Sequence, residues 1–349
     1  MSTRVEQHRL EGENHVSTGV LPPSAAVQEA VSDAYERYRE NTSGRLSNVY
    51  PSLAAARPDL FGICIAGTSG HLYAAGDAER EFAIMSVAKP FVFALVCAAV
   101  GPARARELLG VNGTGLPFNS LEAIERSADG RTNPMVNSGA IAATSLMPGA
   151  TADAKWREIH EGLSRFAGRE LALDEEIYAC ASATNHRNRG IARLLQSFDR
   201  LYFDPIETTD LYTRQSSLSV TARDLAVMGA TLADGGVNPL TQERVVDASI
   251  CRYVLCVMAT AGLYETSGDW LYDVGLPGKS GIGGGIVTVS PGKCGLGTFA
   301  PLLDAAGNSV KGVLSTAFLS RKLGMDLFAS EPWTAPSSGE PAYALGDGA

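Results

Sequence analysis

The chain has 349 residues, 45% of them hydrophobic and 19% charged, with a formal net charge of -9. That length can bury a core for one large domain or two closely packed ones, and the composition excludes wholesale disorder. An acidic balance with no Lys/Arg stripe excludes a general binder of nucleic acid or anionic membrane.

Residues 1–25 read as a polar, mobile lead-in that lacks the apolar stretch of a secretory signal. Six cysteines are scattered, mostly within apolar runs, as buried free thiols usually are. The expected setting is therefore reducing and cytoplasmic. Residues 60–66, 68–70 and 71–75 read as strand, tight turn and strand. From 86 to 100 the pattern becomes a long apolar helix, whose stretch 91–100 is too short to span a bilayer. Residues 119–250 look mostly helical, broken by turn signals such as Asp129-Gly130, Pro148-Gly149 and Gly235-Gly236. Beyond Tyr264 the β pattern returns, with runs over 283–290 and 295–300 divided by Pro291-Gly292-Lys293. A last helix follows Asn308-Ser309, with Ser309 as its N-cap. Residues 329–349, rich in Pro, Gly and Ser, read as a loose tail.

Strands near both ends therefore bracket a helical middle. The economical architecture is α+β, an antiparallel sheet built from both ends of the chain and flanked by helices, with an inserted all-helical lobe. Residues 26–90 and 255–328 form the expected sheet domain and 91–254 the helical domain, with a cleft between them as the expected ligand site.

Neither the five histidines nor Cys251 and Cys256 have metal-ligand spacing, so no metal and no cofactor is expected. Chemistry is carried instead by Ser86-Val87-Ala88-Lys89 at the start of the apolar helix. The spacing puts both side chains on one helical face. A serine hydroxyl needs an adjacent base, and a lysine serves if burial lowers its pKa. Alone, such a motif is weak and reads better as an N-cap serine beside a surface lysine. Lys279-Ser280-Gly281 shifts the balance, because a K-[ST]-G element accompanies S-x-x-K in penicillin-binding proteins and class A β-lactamases. The run Gly281-Ile282-Gly283-Gly284-Gly285 then offers backbone N–H groups unobstructed by side chains.

Longer motifs make the resemblance specific. Pro58-Asp59-Leu60-Phe61-Gly62, Pro117-Phe118-Asn119-Ser120 and Asn133-Pro134-Met135-Val136-Asn137-Ser138-Gly139 come first. Arg187-Asn188, Asp210-Leu211-Tyr212, Gly262-Leu263-Tyr264 and 275–285 follow in order. From about residue 44 to 323 the chain resembles the serine-dependent glutaminases, which share the β-lactamase-like fold. The resemblance implies Ser86 as nucleophile, Lys89 as its base, and Tyr264 as an aid to proton transfer with Tyr212 beside it. It also implies an oxyanion hole from the N–H groups of Ser86 and Ile282, and substrate contacts from Asn137, Asn188 and Lys279. A homodimer or homotetramer acting on a small-molecule amide is implied too.

Three positions depart from that pattern. Glutaminases carry a tyrosine where this chain has Val49, a glutamine where it has Met85, and a glutamate where it has Ala181. In the family these residues hold the amino-acid head of glutamine, the glutamate by pairing with the α-ammonium. A buried ammonium without a partner costs several kcal/mol. The first expectation is thus a serine amidohydrolase or acyl-transfer enzyme whose substrate is not plain L-glutamine. Two alternatives stand beside it: a true glutaminase in which Glu175 or Glu176 holds the ammonium, and a non-catalytic binding protein.

Overall fold

A computed structural model of the chain describes residues 19–330. The expected lead-in lies outside those residues up to 18, and the tail lies outside them from 331 onward. The lead-in ends earlier than expected, because the helix Ser24–Tyr38 begins inside it.

The strands are β1 (Gly62–Gly67), β2 (Leu72–Gly76), β3 (Phe82–Ala83), β4 (Ser219–Val220), β5 (Gly278–Ser280), β6 (Gly285–Ser290) and β7 (Cys294–Phe299). Five of them form an antiparallel sheet in the order β2-β1-β7-β6-β5, so strands from early and late in the chain meet where β1 pairs with β7. β3 and β4 pair separately.

Side chains alternate along a strand, and both faces of β1 are covered. Ile63 and Ile65 join Val27, Val31 and Leu319 of the helices Ser24–Tyr38 and Val310–Lys322. Cys64 and Ala66 take the opposite face, against Ala226, Val227 and Ala230 of the helix Ala222–Ala233. This double burial explains why β1 reads as an unbroken apolar run. Glycines on β7 let the helix Ala222–Ala233 lie directly on the sheet. A Cβ at Gly295 would sit 2.1 Å from the Ala226 carbonyl oxygen, and one at Gly297 would sit 2.0 Å from that of Ala222. The 91–254 stretch, expected as an all-helical lobe, therefore gives one of its helices to the sheet. Thr221 and Asp224 cap that helix, and Arg169 grips the Asp224 carboxylate with two bonds of 2.9 and 2.7 Å.

The rest of the helical part packs around Ala88–Val100, whose Phe91, Val92, Phe93 and Val96 are buried. The Phe91 ring stacks at an angle on Phe166, centroids 5.1 Å apart. Among the described residues no single helix is long and apolar enough to cross a membrane.

One segment departs from the sequence reading. After Tyr264 the chain forms the helix Ser267–Val274 before any strand. Ser267, Trp270 and Val274 are its buried residues, a three-and-four spacing that marks one helical face. Gly275 ends it in the left-handed conformation, φ +71°. Ser309 does cap the final helix, accepting from the Gly312 N–H.

Candidate active site

The chain leaves β3 through Ile84, whose N–H is tied to the Leu218 carbonyl at 2.9 Å. A single 3-10 turn, Met85–Val87, then leads into the helix Ala88–Val100. Met85 is held at φ +49°, and Tyr264 across the site at φ +55°. They are two of only four non-glycine residues with positive φ among those described. Such backbone strain persists only where the surroundings enforce it. Here it brackets one hydroxyl, that of Ser86, which lies beside the Tyr264 phenol.

Lys89 is almost completely buried, at 2% exposure. Its Nζ donates to Asn137 Oδ1 at 2.7 Å and to the Met135 carbonyl at 3.3 Å. It also lies 6.0 Å from the ring centroids of both Phe118 and Tyr212. Among the described residues no carboxylate forms an ion pair with it. Burial therefore acts unopposed and lowers its pKa to about 7. A neutral amine has two protons and one lone pair. Two acceptors are in place, and the lone pair is left over.

Lys279, on β5 opposite Val287, is fully buried. Its Nζ donates to the carbonyls of Gly262 at 2.9 Å and Ser280 at 2.6 Å, and stands 4.4 Å from the Tyr264 ring centroid. Burial and then the nearby Lys89 push its pKa well down. Sequence grouped Lys279 with the substrate contacts, but it has no surface on the cleft. It lies behind Tyr264, holding in place the loop that carries that residue.

Asn137 opens the helix Asn137–Ser145 and ties the cluster together. Its Oδ1 accepts from Lys89 and, at 3.1 Å, from the Tyr212 hydroxyl. Its Nδ2 donates to Asn188 Oδ1 at 3.0 Å. Asn137 is thus largely spent on its neighbours, while Asn188 Nδ2 has no partner among the described residues. Tyr264 donates to the Ser280 carbonyl at 3.2 Å and meets the Phe118 ring at 4.6 Å. Burial raises the pKa of both Tyr212 and Tyr264, so both phenols stay protonated.

Residues 281–285 close the remaining side. Gly281 N–H bonds to the Gly285 carbonyl and Gly284 N–H to that of Gly281, both at 3.0 Å. This tight turn presses on the chain before Ser86, since a Cβ at Gly283 would lie 2.6 Å from the Ala83 carbonyl oxygen. Among the described residues the N–H groups of Ser86 and Ile282 donate to no backbone carbonyl. Two free donors next to a serine hydroxyl suit a developing oxyanion.

The three departures lie together only in part. Met85 is buried with Ala83 and Ile177, and Tyr50, Leu53 and Ile282 pack against them. Ala181 is buried on the helix Glu175–Thr184, one turn beyond Ile177 on the same face. Val49 instead is 53% exposed. Glu175 and Glu176 are both exposed, in the first turn of a helix whose buried residues are Ile177 and Ala181. Neither acidic residue makes up for Ala181 inside the pocket. Sequence reasoning missed Tyr50, whose phenol lies near Cys180 and Tyr212. The available signal was its place before Pro51, where the backbone is forced to be extended.

A family model described as glutaminase matches residues 44–328. A protein named glutaminase 2 from Yersinia pestis is 68% identical over 321 residues, covering 92% of this chain and 94% of its own. A Brucella canis glutaminase is 47% identical, covering 88% of this chain and 98% of its own. Among solved structures, a probable glutaminase, ybaS, superposes with a TM-score of 0.87 at 42% identity, covering 88% of this chain and all of the other. A probable glutaminase from Bacillus subtilis, solved with 6-diazo-5-oxo-L-norleucine, gives 0.79 at 27% identity, covering 86% and 96%.

Proposed function

The chain belongs to the glutaminase family, and we propose that it hydrolyses the side-chain amide of L-glutamine through an acyl intermediate on Ser86. The observation that carries this reading is the amine of Lys89, one helical turn from Ser86, buried, without a carboxylate and with a pKa near neutrality. In the first half-reaction Lys89 takes the Ser86 proton and Oγ bonds to the amide carbon. The oxyanion is met by the N–H groups of Ser86 and Ile282. The carbon–nitrogen bond then breaks, and nitrogen leaves as ammonia after taking a proton relayed through Tyr264. In the second half-reaction water gives a proton to Lys89 and its oxygen to the acyl carbon, and glutamate departs from a regenerated Ser86. Tyr212 and Asn137 fix the Lys89 amine, and Lys279 supports Tyr264.

This reading reverses the first expectation from sequence, that glutamine itself is not the substrate. The comparisons favour the true glutaminase, since a relative 68% identical over nearly the whole chain has that name. A second reading keeps one observation in its favour: the buried side chains at the head end, Met85, Ile177 and Ala181, are apolar. It takes as substrate a glutamine whose α-nitrogen is uncharged.

One experiment separates the readings. Ammonia release is measured from L-glutamine and from N-acetyl-L-glutamine, for the wild type and Ser86→Ala. The proposal expects glutamine to be the better substrate and turnover to vanish in the variant. A preference for the acetylated amide supports the second reading, and full activity in the variant overturns the serine mechanism. A mass increase on the Ser86 peptide after treatment with 6-diazo-5-oxo-L-norleucine excludes a non-catalytic binding protein.

A further inference from the structure

Tyr50 precedes Pro51, which opens the short helix Pro51–Ala54. The ring of a proline drives the residue before it into extended backbone, and Tyr50 has φ -129° and ψ 144°. Its neighbour Val49 is 53% exposed, whereas Tyr50 is half-buried. Tyr50 turns inward and packs on the Ala83, Met85 and Ile177 cluster together with Ile282. It thus stands against the residue before the nucleophile and the residue whose N–H closes the site.

The surroundings give its hydroxyl a task. Met85, Ile177, Ala181 and Leu53 offer no polar side-chain group beyond a thioether. Among the described residues the Tyr50 hydroxyl forms no hydrogen bond. Burial keeps the phenol protonated, so it is a donor. An unpaired donor beside an apolar cluster fits a carboxylate, one of the two charged groups of an amino-acid head.

We propose that Tyr50 is the specificity-determining tyrosine of this chain, its hydroxyl donating to the α-carboxylate of the substrate from one position further along than the tyrosine that glutaminases carry at Val49. This rests on the glutamine reading above. It also assigns the substrate head a hydrogen-bond donor and no acidic partner, so the carboxylate is the end of the head that this chain recognises.

The test compares wild type, Tyr50→Phe, Tyr50→Val and the exchange Val49→Tyr/Tyr50→Val, using L-glutamine and a p-nitrophenyl ester of a short fatty acid that has no amino-acid head. Loss of a hydrogen bond to a charged group predicts a KM for glutamine raised about tenfold in Tyr50→Phe, with kcat and melting temperature unchanged. Ester hydrolysis stays at the wild-type rate. Tyr50→Val raises the KM further, and the exchange variant restores part of it. An unchanged KM in Tyr50→Phe, or an equal loss on the ester, overturns the inference and leaves Tyr50 as packing. Failure of the wild type to release ammonia from glutamine overturns the functional reading instead, and the inference with it.

Discussion

The two ends of this site are built on opposite principles. Around Ser86 the polar side chains are tied into one network: Lys89 and Tyr212 meet on Asn137, Asn137 on Asn188, and Lys279 and Tyr264 on the Ser280 carbonyl. At the other end Met85, Ile177 and Ala181 form an apolar wall, with Tyr50 packed against it. The difference follows from what each end must do. Breaking an amide bond requires a base, a proton relay and oxyanion donors in fixed geometry, and a misplacement of about 1 Å can cost a hundredfold in rate. Recognising the head requires only binding energy, which different groups can supply. The reactive end is therefore the constrained one, and the head end can vary while the chemistry is kept.

Substitutions at the two ends should separate rate from affinity. Ser86→Ala removes the nucleophile, and kcat for glutamine should fall by about ten-thousandfold with the melting temperature preserved. A smaller loss, measured with rigorously pure variant, breaks the comparison at its reactive end. Lys89→Met keeps the volume and removes the base, for a loss of about a thousandfold in kcat. Because Met cannot titrate, the pH dependence near neutrality should vanish with it. Tyr264→Phe deletes the hydroxyl that meets Ser86, and about a hundredfold in kcat should go with little change in KM. At the head end the signature inverts. Ala181→Glu returns a carboxylate toward the α-ammonium, and the KM for glutamine should fall about tenfold at constant kcat. An unchanged KM in that variant means the ammonium does not reach this wall.

What could be read from sequence divides along the same line. The S-x-x-K and K-S-G elements and the paired strands from both ends were legible because each is a local pattern that survives in one sequence. The helix Ser267–Val274 was not, since its three buried residues are few and lie next to true strands. Nor was the docking of Ala222–Ala233 on the sheet, which depends on Gly295 and Gly297 some seventy residues away. Lys279 was found but misplaced, because a motif names a residue without saying which side of Tyr264 its amine occupies. Tyr50 was passed over for Val49, since which of two neighbouring side chains packs inward is set by the local fold, and it is Tyr50 that packs on Met85. Position-by-position transfer from a family misses a one-residue shift.

The central claim is that a buried, deprotonated Lys89 activates Ser86, and the pH dependence of kcat/KM for glutamine tests it most directly. With a Lys89 pKa of about 7, the amine is protonated below that value and cannot accept the Ser86 proton. Activity should therefore fall about tenfold per pH unit below neutrality and level off above it, and Lys89→Met should abolish the slope. A profile that stays flat through neutrality in the wild type, or a slope that survives in Lys89→Met, would contradict the account.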